Sequence, residues 1–171
     1  ISDEYLNFYF RMVKPVFKKI KAESFDQHPE KAINQNHFSV MLGLAFERWC
    51  CKNYRVIAKI LGFEGVVDYE AGSFFNKRSQ KEEPGFQIDL MFIRKDLRLI
   101  LIEIKYSEGE VSTDVVNEVL IKKEKLLKYL PKFQTYTIDQ VLITTADMSD
   151  KKRTSLENTF DHIITLKNLF S

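Results

Sequence analysis

A chain of 171 residues, 44% hydrophobic and 29% charged, is long enough to fold as a single domain with a sizeable core. No run of about 18 apolar residues occurs, so no membrane span is expected, and a net charge of +2 identifies no class of partner. The adjacent Cys50 and Cys51 are expected to remain free thiols, which fits a reducing cytoplasm. The chain starts at Ile1 and shows no secretory signal, so we expect a cytoplasmic piece of a longer protein.

The first third of the chain is mainly helical in pattern. Apolar residues recur every three or four positions over residues 1–20, with a kink expected at Pro15, and residues 22–36 form a polar connection. Residues 37–61 predict a second helical region with a break near Asn53. This region is apolar nearly all round, which is typical of a buried helix.

Glu47 and Arg48 are the charged exceptions in that second region. They are the only charged residues between His37 and Lys52. From the pattern alone, two interpretations stay open: the pair emerges at the protein surface, or it interacts with a charged group nearby.

The remainder of the chain alternates strands with helices. Apolar or alternating runs predict five strands, at residues 65–75, 86–93, 98–106, 140–145 and 162–166. A helix is expected to begin at Ser112 or Thr113 and to end before Pro131. A hairpin followed by a strand–helix–strand unit implies a mixed sheet with helices on its faces. The predicted fold class is therefore α/β.

The two central strands contain three ionisable residues that their apolar surroundings do not explain. Asp89 lies in the first strand, and Glu103 and Lys105 lie in the second. Buried charges are costly unless they are paired or bound to a metal. This anomaly indicates a functional site.

Strand register decides whether the two carboxylates meet. If Arg94 faces Arg98 across a three-residue loop, Asp89 lies directly opposite Glu103, whereas a two-residue loop would put them on opposite faces. Carboxylates about 5 Å apart can hold a divalent cation such as Mg²⁺. Lys105, on the same face, could then position or activate a bound water molecule, or steady a phosphate. The alternative is a structural acid–lysine pair on a solvated face.

These residues carry a resemblance to a known family. QID at 87–89 and EIK at 103–105, preceded by a helix containing Glu47, resemble the motif of the PD-(D/E)XK nuclease superfamily, although no proline precedes Asp89 directly. Further segments along nearly the whole chain are similar to the C-terminal region of prokaryotic AAA+ ATPases. In those proteins a nuclease-like domain follows ATPase and winged-helix modules. The similar segments are SDEYLNFYFRMVKP, LGLAFERWC, VLITTADM and ITLKNLF.

The resemblance implies a fold and a chemistry. Residues 37–171 would form a restriction-endonuclease-like core (αβββαβ), and residues 1–36 would lie at the junction with the ATPase and winged-helix part. Asp89, Glu103 and the backbone carbonyl of Ile104 would bind Mg²⁺ or Mn²⁺, with Glu47 as an additional ligand, direct or through water. Lys105 would orient the water that hydrolyses a phosphodiester bond.

The substrate implied by the resemblance is nucleic acid, most simply DNA. The residues expected to contact it are Gln87, Lys123, Lys77 and Arg78. Phosphate contacts could also come from Lys122, Lys125 and Lys128, but a solvated helix face explains these lysines better. The alternative function is a nuclease-fold module that binds DNA or protein for the ATPase without cutting.

Overall fold

The computed structural model describes residues 3–77 and 84–171. The chain divides into two compact units, Ile1–Phe46 and Glu47–Ser171. Among the helices of the described residues, none combines the length and the apolar character needed to cross a bilayer.

The N-terminal unit is built from short helical segments. They are α1 (Glu4–Phe8), a short π-helix (Tyr9–Val13), a 3₁₀ turn (Lys14–Val16), α2 (Phe17–Lys21) and a second 3₁₀ turn (Pro29–Ala32). The Asp3 carboxylate caps α1 by accepting the Leu6 N–H at 2.9 Å. Pro15 interrupts the helix as predicted, because proline has no N–H to continue the ladder.

Helix α3 (Gln35–Lys52) is followed at once by α4 (Tyr54–Ile60). The predicted break at Asn53 is confirmed, and the Asn53 side chain donates to the Trp49 carbonyl at 2.8 Å. The expectation that this region is buried nearly all round is wrong. Of the α3 residues only Met41 and Cys50 are buried, and Val40 is 61% exposed. Up to Phe46 the helix belongs to the N-terminal unit, whose short helical segments are too few to enclose it on every side.

The second unit is organised by a five-stranded mixed sheet in the order β1-β2-β3-β4-β5. Its strands are β1 (Tyr69–Asn76), β2 (Phe86–Arg94), β3 (Arg98–Lys105), β4 (Thr137–Thr144) and β5 (His162–Thr165). The first three strands are antiparallel, and β3, β4 and β5 run parallel. This confirms the predicted α/β class.

Helices connect the parallel strands and follow the last one. They are α5 (Asp114–Tyr129), a 3₁₀ turn (Pro131–Thr135), α6 (Asp150–Glu157) and α7 (Leu166–Leu169). On one sheet face, Leu126 of α5 packs with Met91 and Leu101. The other face carries an edge-to-face aromatic cluster that includes Phe63 and Phe92. Both faces of the central strands are therefore covered, so a charged side chain there needs a partner.

Candidate active site

The loop between β2 and β3 sets the geometry of the site. It consists of residues 95–97, the odd length that the register argument required. Leu97 closes it in the left-handed region, with φ of 62°. Leu90 pairs with Ile102, so the next positions in the same register are Asp89 and Glu103. The predicted loop length and hairpin register are confirmed, and Asp89 and Glu103 follow directly after the last backbone pair.

Asp89 lies where the backbone pairing of β2 with β3 ends, one residue beyond the last pair. Its Oδ2 accepts the backbone N–H of Ile104 at 2.9 Å, so a side chain replaces a ladder carbonyl. In an extended strand the N–H and C=O of one residue point to the same side. The Ile104 carbonyl is therefore directed towards β2 as well, next to Asp89.

The backbone of Asp89 is held from the opposite side by β1. The register of β1 against β2 shifts between Gly72 and Phe74, where the single residue Ser73 of β1 lies opposite two residues of β2, Asp89 and Leu90, which form a bulge. Ser73 Oγ donates to the Asp89 carbonyl at 2.7 Å, and Cys51 Sγ lies 3.4 Å from the same oxygen. The bulge thus fixes the position from which the Asp89 carboxylate projects.

Glu103 is almost fully buried, at 2% exposure, and is paired with two ammonium groups. Lys105 Nζ lies 3.0 Å from Glu103 Oε1, and Lys122 Nζ of α5 lies 2.5 Å from Oε2. Lys105 is shared with a second carboxylate, because its Nζ also lies 2.8 Å from Glu118 Oε2. The site is therefore a short chain of alternating charges between β3 and α5.

Burial and a neighbouring negative charge shift the pKa of Asp89, which lies next to these paired charges. Desolvation raises the pKa of Asp89 to about 6, and the negative charge of Glu103 acts in the same direction, against the opposing effects of the Ile104 N–H and Lys122. Burial alone would lower the pKa of Lys105, but its interactions with Glu118 and Glu103 prevail, so the pKa is raised. Shifts with such causes concentrate at functional sites.

Glu47 reaches the site through Gln87. The Gln87 side-chain nitrogen donates to Glu47 Oε1 at 3.0 Å and lies 3.4 Å from Asp89 Oδ1. One amide therefore links the carboxylate of α3 to that of β2. Glu47 and Gln87, both named from the sequence, lie beside Asp89, with Glu47 one hydrogen-bonded step further away.

Lys77, Arg78 and Lys123 are the other residues predicted to contact nucleic acid. Lys77 is exposed directly after β1, and Arg78 falls outside the described residues. Lys123 is half-buried on α5. The lysine of α5 that contacts Glu103 is its neighbour Lys122, which the sequence had grouped with a solvated face.

Sequence reasoning missed Glu118 and Lys122 as members of the site. The available signal was helical spacing, because Val115, Glu118, Lys122 and Leu126 follow one another at intervals of three or four. Val115 and Leu126 are buried. The two charged residues thus lie on the same face of α5 as these buried residues, although Glu118 is exposed and Lys122 is half-buried.

Comparison with protein-family models, with curated proteins and with solved structures found no match. The donor set can be judged from its own chemistry. Asp89, Glu103 and the Ile104 carbonyl offer only oxygen, the donor that Mg²⁺ and Mn²⁺ prefer. In the part of the chain that the structure describes, no three His, Cys, Asp or Glu side chains gather closely enough to hold a metal ion. Two carboxylates and a carbonyl are chemically compatible with Mg²⁺, which can bind through one or two carboxylates while it keeps several waters.

Proposed function

We propose that residues 37–171 form a metal-dependent nuclease domain of the PD-(D/E)XK type, with a restriction-endonuclease-like core, that hydrolyses phosphodiester bonds in DNA. One observation carries the proposal. Asp89 and Glu103 are buried neighbours on adjacent strands, and the Lys105 ammonium lies 3.0 Å from Glu103. A metal-binding function would also explain why charged side chains are buried here at a cost in free energy, since a purely structural site could use apolar residues instead.

Each residue would have a separate task. Asp89 and Glu103, with the Ile104 carbonyl, would hold Mg²⁺ or Mn²⁺, and Glu47 would support them through water or Gln87. The bound metal would lower the pKa of a water molecule and stabilise charge on a phosphoryl oxygen.

Lys105 is suited to donate hydrogen bonds. Burial lowers the pKa of Lys105, but its contacts with the Glu118 and Glu103 carboxylates raise it overall, which favours the charged ammonium over a neutral amine that could act as a base. It would instead orient the attacking water or a phosphate oxygen.

The same proposal includes a substrate and a partner. Lys77, Arg78 and Lys123 would contact the DNA backbone, where affinity depends mainly on positive charge. The domain would act as the C-terminal part of an AAA+ ATPase, with residues 1–36 at the junction.

A cleavage assay tests this function. Supercoiled plasmid and a single-stranded oligonucleotide are incubated with the protein in Mg²⁺, Mn²⁺ or EDTA. We expect metal-dependent cleavage that Lys105→Ala reduces by about 100-fold or more, whereas Lys125→Ala, a control on α5 whose Nζ contacts the Pro84 carbonyl, retains activity. Cleavage that is equal in the Lys105 variant, or absent from the wild type, would remove the catalytic proposal.

A catalytically silent module is favoured by one specific observation. Glu103 is already balanced by Lys105 and Lys122, so the buried charge is compensated without a metal. A silent module would bind labelled DNA, or the ATPase part, equally well in EDTA and in Mn²⁺. Fluorescence anisotropy together with the cleavage assay separates the two functions.

A further inference from the structure

The proposed reaction leaves one partly buried charge of the site, Lys122, without a task. Lys122 projects from α5 onto Glu103, and its Nζ lies closer to that carboxylate than the Nζ of Lys105 does, at 2.5 Å against 3.0 Å. A carboxylate that is 2% exposed requires a counter-charge when no metal neutralises it. Lys122 and Lys105 supply that charge together.

An ammonium group and a divalent cation make competing demands on one carboxylate. Both need the oxygens of Glu103 and, being positive, they repel each other at close range. We propose that Lys122 is an internal counter-ion of Glu103 that competes with the divalent cation and leaves the carboxylate when the cation binds. This inference rests on the proposed metal site and adds a residue that regulates its affinity.

The surroundings of the two lysines show why Lys122 is the one displaced. Lys105 is retained by Glu118 at 2.8 Å, so it keeps a charged partner whichever cation occupies Glu103. Lys122 stands on the helix with its side chain 22% exposed. A flexible four-carbon side chain at such a position can carry its ammonium group to solvent with little rearrangement.

Removing the competing charge should tighten metal binding. An opposite charge this close changes the affinity of a carboxylate for a proton by about one to three pKa units. The same field acts on a bound metal, although the ammonium group is partly screened by solvent. We therefore expect Lys122→Met to bind Mn²⁺ about tenfold more tightly than the wild type, as measured by electron paramagnetic resonance of free Mn²⁺.

Lys125→Met is the matched control. It removes the same charge from the same helix, but the Lys125 Nζ contacts the Pro84 carbonyl at 3.2 Å instead of Glu103. We expect its Mn²⁺ affinity to remain within about twofold of the wild type, since interactions between solvent-accessible charges further apart are screened. An equal gain in both variants would reduce the effect to general electrostatics and overturn the inference.

A second measurement uses the unmodified protein and does not depend on the folding of any variant. Lysines are acetylated briefly in EDTA or in saturating Mn²⁺, and the modification of Lys122 and Lys125 is quantified by peptide mass spectrometry. Displacement predicts that Mn²⁺ increases acetylation of Lys122 several-fold and leaves Lys125 unchanged. Unchanged or decreased acetylation of Lys122 would overturn the inference.

The outcomes separate this inference from the function on which it rests. If Mn²⁺ binds the wild type but not Asp89→Ala, the metal site stands. Equal or weaker Mn²⁺ binding by Lys122→Met would then refute the counter-ion alone. If Mn²⁺ binds neither the wild type nor Lys122→Met, both proposals fail.

Discussion

Replacing Asp89 with asparagine should stabilise the metal-free protein at pH 8, although it removes a candidate metal ligand. Asp89 is 8% exposed, and burial together with the charge of Glu103 raises its pKa from 3.8 to about 6. A raised pKa favours the folded state below the unfolded value of 3.8, and this advantage is lost as the pH rises through 6. Above pH 6 the folded protein carries the full cost of a buried carboxylate.

The expected gain in stability follows from the pKa shift of Asp89. A rise of roughly two pKa units corresponds to about 3 kcal/mol. Asparagine keeps an oxygen for the Ile104 N–H, but a neutral acceptor is weaker than a carboxylate by about 1 kcal/mol. The variant should therefore be more stable by about 2 kcal/mol at pH 8, or about 6 °C in Tm for a chain of this size. At pH 4, where Asp89 is itself neutral, the gain should disappear.

Urea unfolding followed by circular dichroism, in EDTA at pH 4, 6 and 8, measures this dependence. Asp68→Asn is the control, because Asp68 is exposed and its hydrogen bond to Lys95 lowers its pKa. Its pH dependence should have the opposite sign, since the stability that Asp68 contributes is lost as the pH falls. An Asp89→Asn gain that is equal at pH 4 and pH 8, or a loss at pH 8, would refute the argument from buried charge.

Three further substitutions test other parts of the account. Glu103→Gln should cost about 2 kcal/mol in urea unfolding, because Lys105 and Lys122 lose their shared carboxylate but can still reach solvent; an unchanged midpoint would contradict this. Leu97→Asn should raise Tm by about 2 °C, because asparagine tolerates the φ of 62° better than leucine; a lower Tm would count against it. Gln140→Met should add about 1 kcal/mol in the same unfolding assay, because the buried Gln140 Nε2 has no partner among the described residues; destabilisation would show that the amide is needed.

The pairing of Asp89 with Glu103 could be predicted because it depends only on local rules. Side chains alternate along a strand, and the parity of a hairpin loop decides which face each residue occupies. The same local reasoning placed the break at Asn53, which the structure confirms. It also gave the α/β class, since the order of the elements restricts the sheet to a mixed one.

Residues that depend on tertiary packing could not be predicted in this way. Lys122 and Lys123 are adjacent in sequence, and only the rotation of α5 over the sheet decides which of them meets Glu103. The role of Ser73 depends on a bulge in β2 at Asp89 and Leu90, and the apolar run of that strand gives no sign of it. The burial of α3 was misjudged because apolar composition does not specify how many neighbouring elements cover a helix.

Calorimetric titration with Mn²⁺ tests the central claim most directly. The wild type, Asp89→Ala and the control Lys125→Ala are compared in identical buffer at pH 7.5, where Asp89 is ionised. A metal site formed by Asp89 and Glu103 predicts saturable binding to the wild type and to the control, and none to Asp89→Ala. Equal heats for the wild type and Asp89→Ala, or no binding to either protein, would contradict the metal site and with it the proposed nuclease.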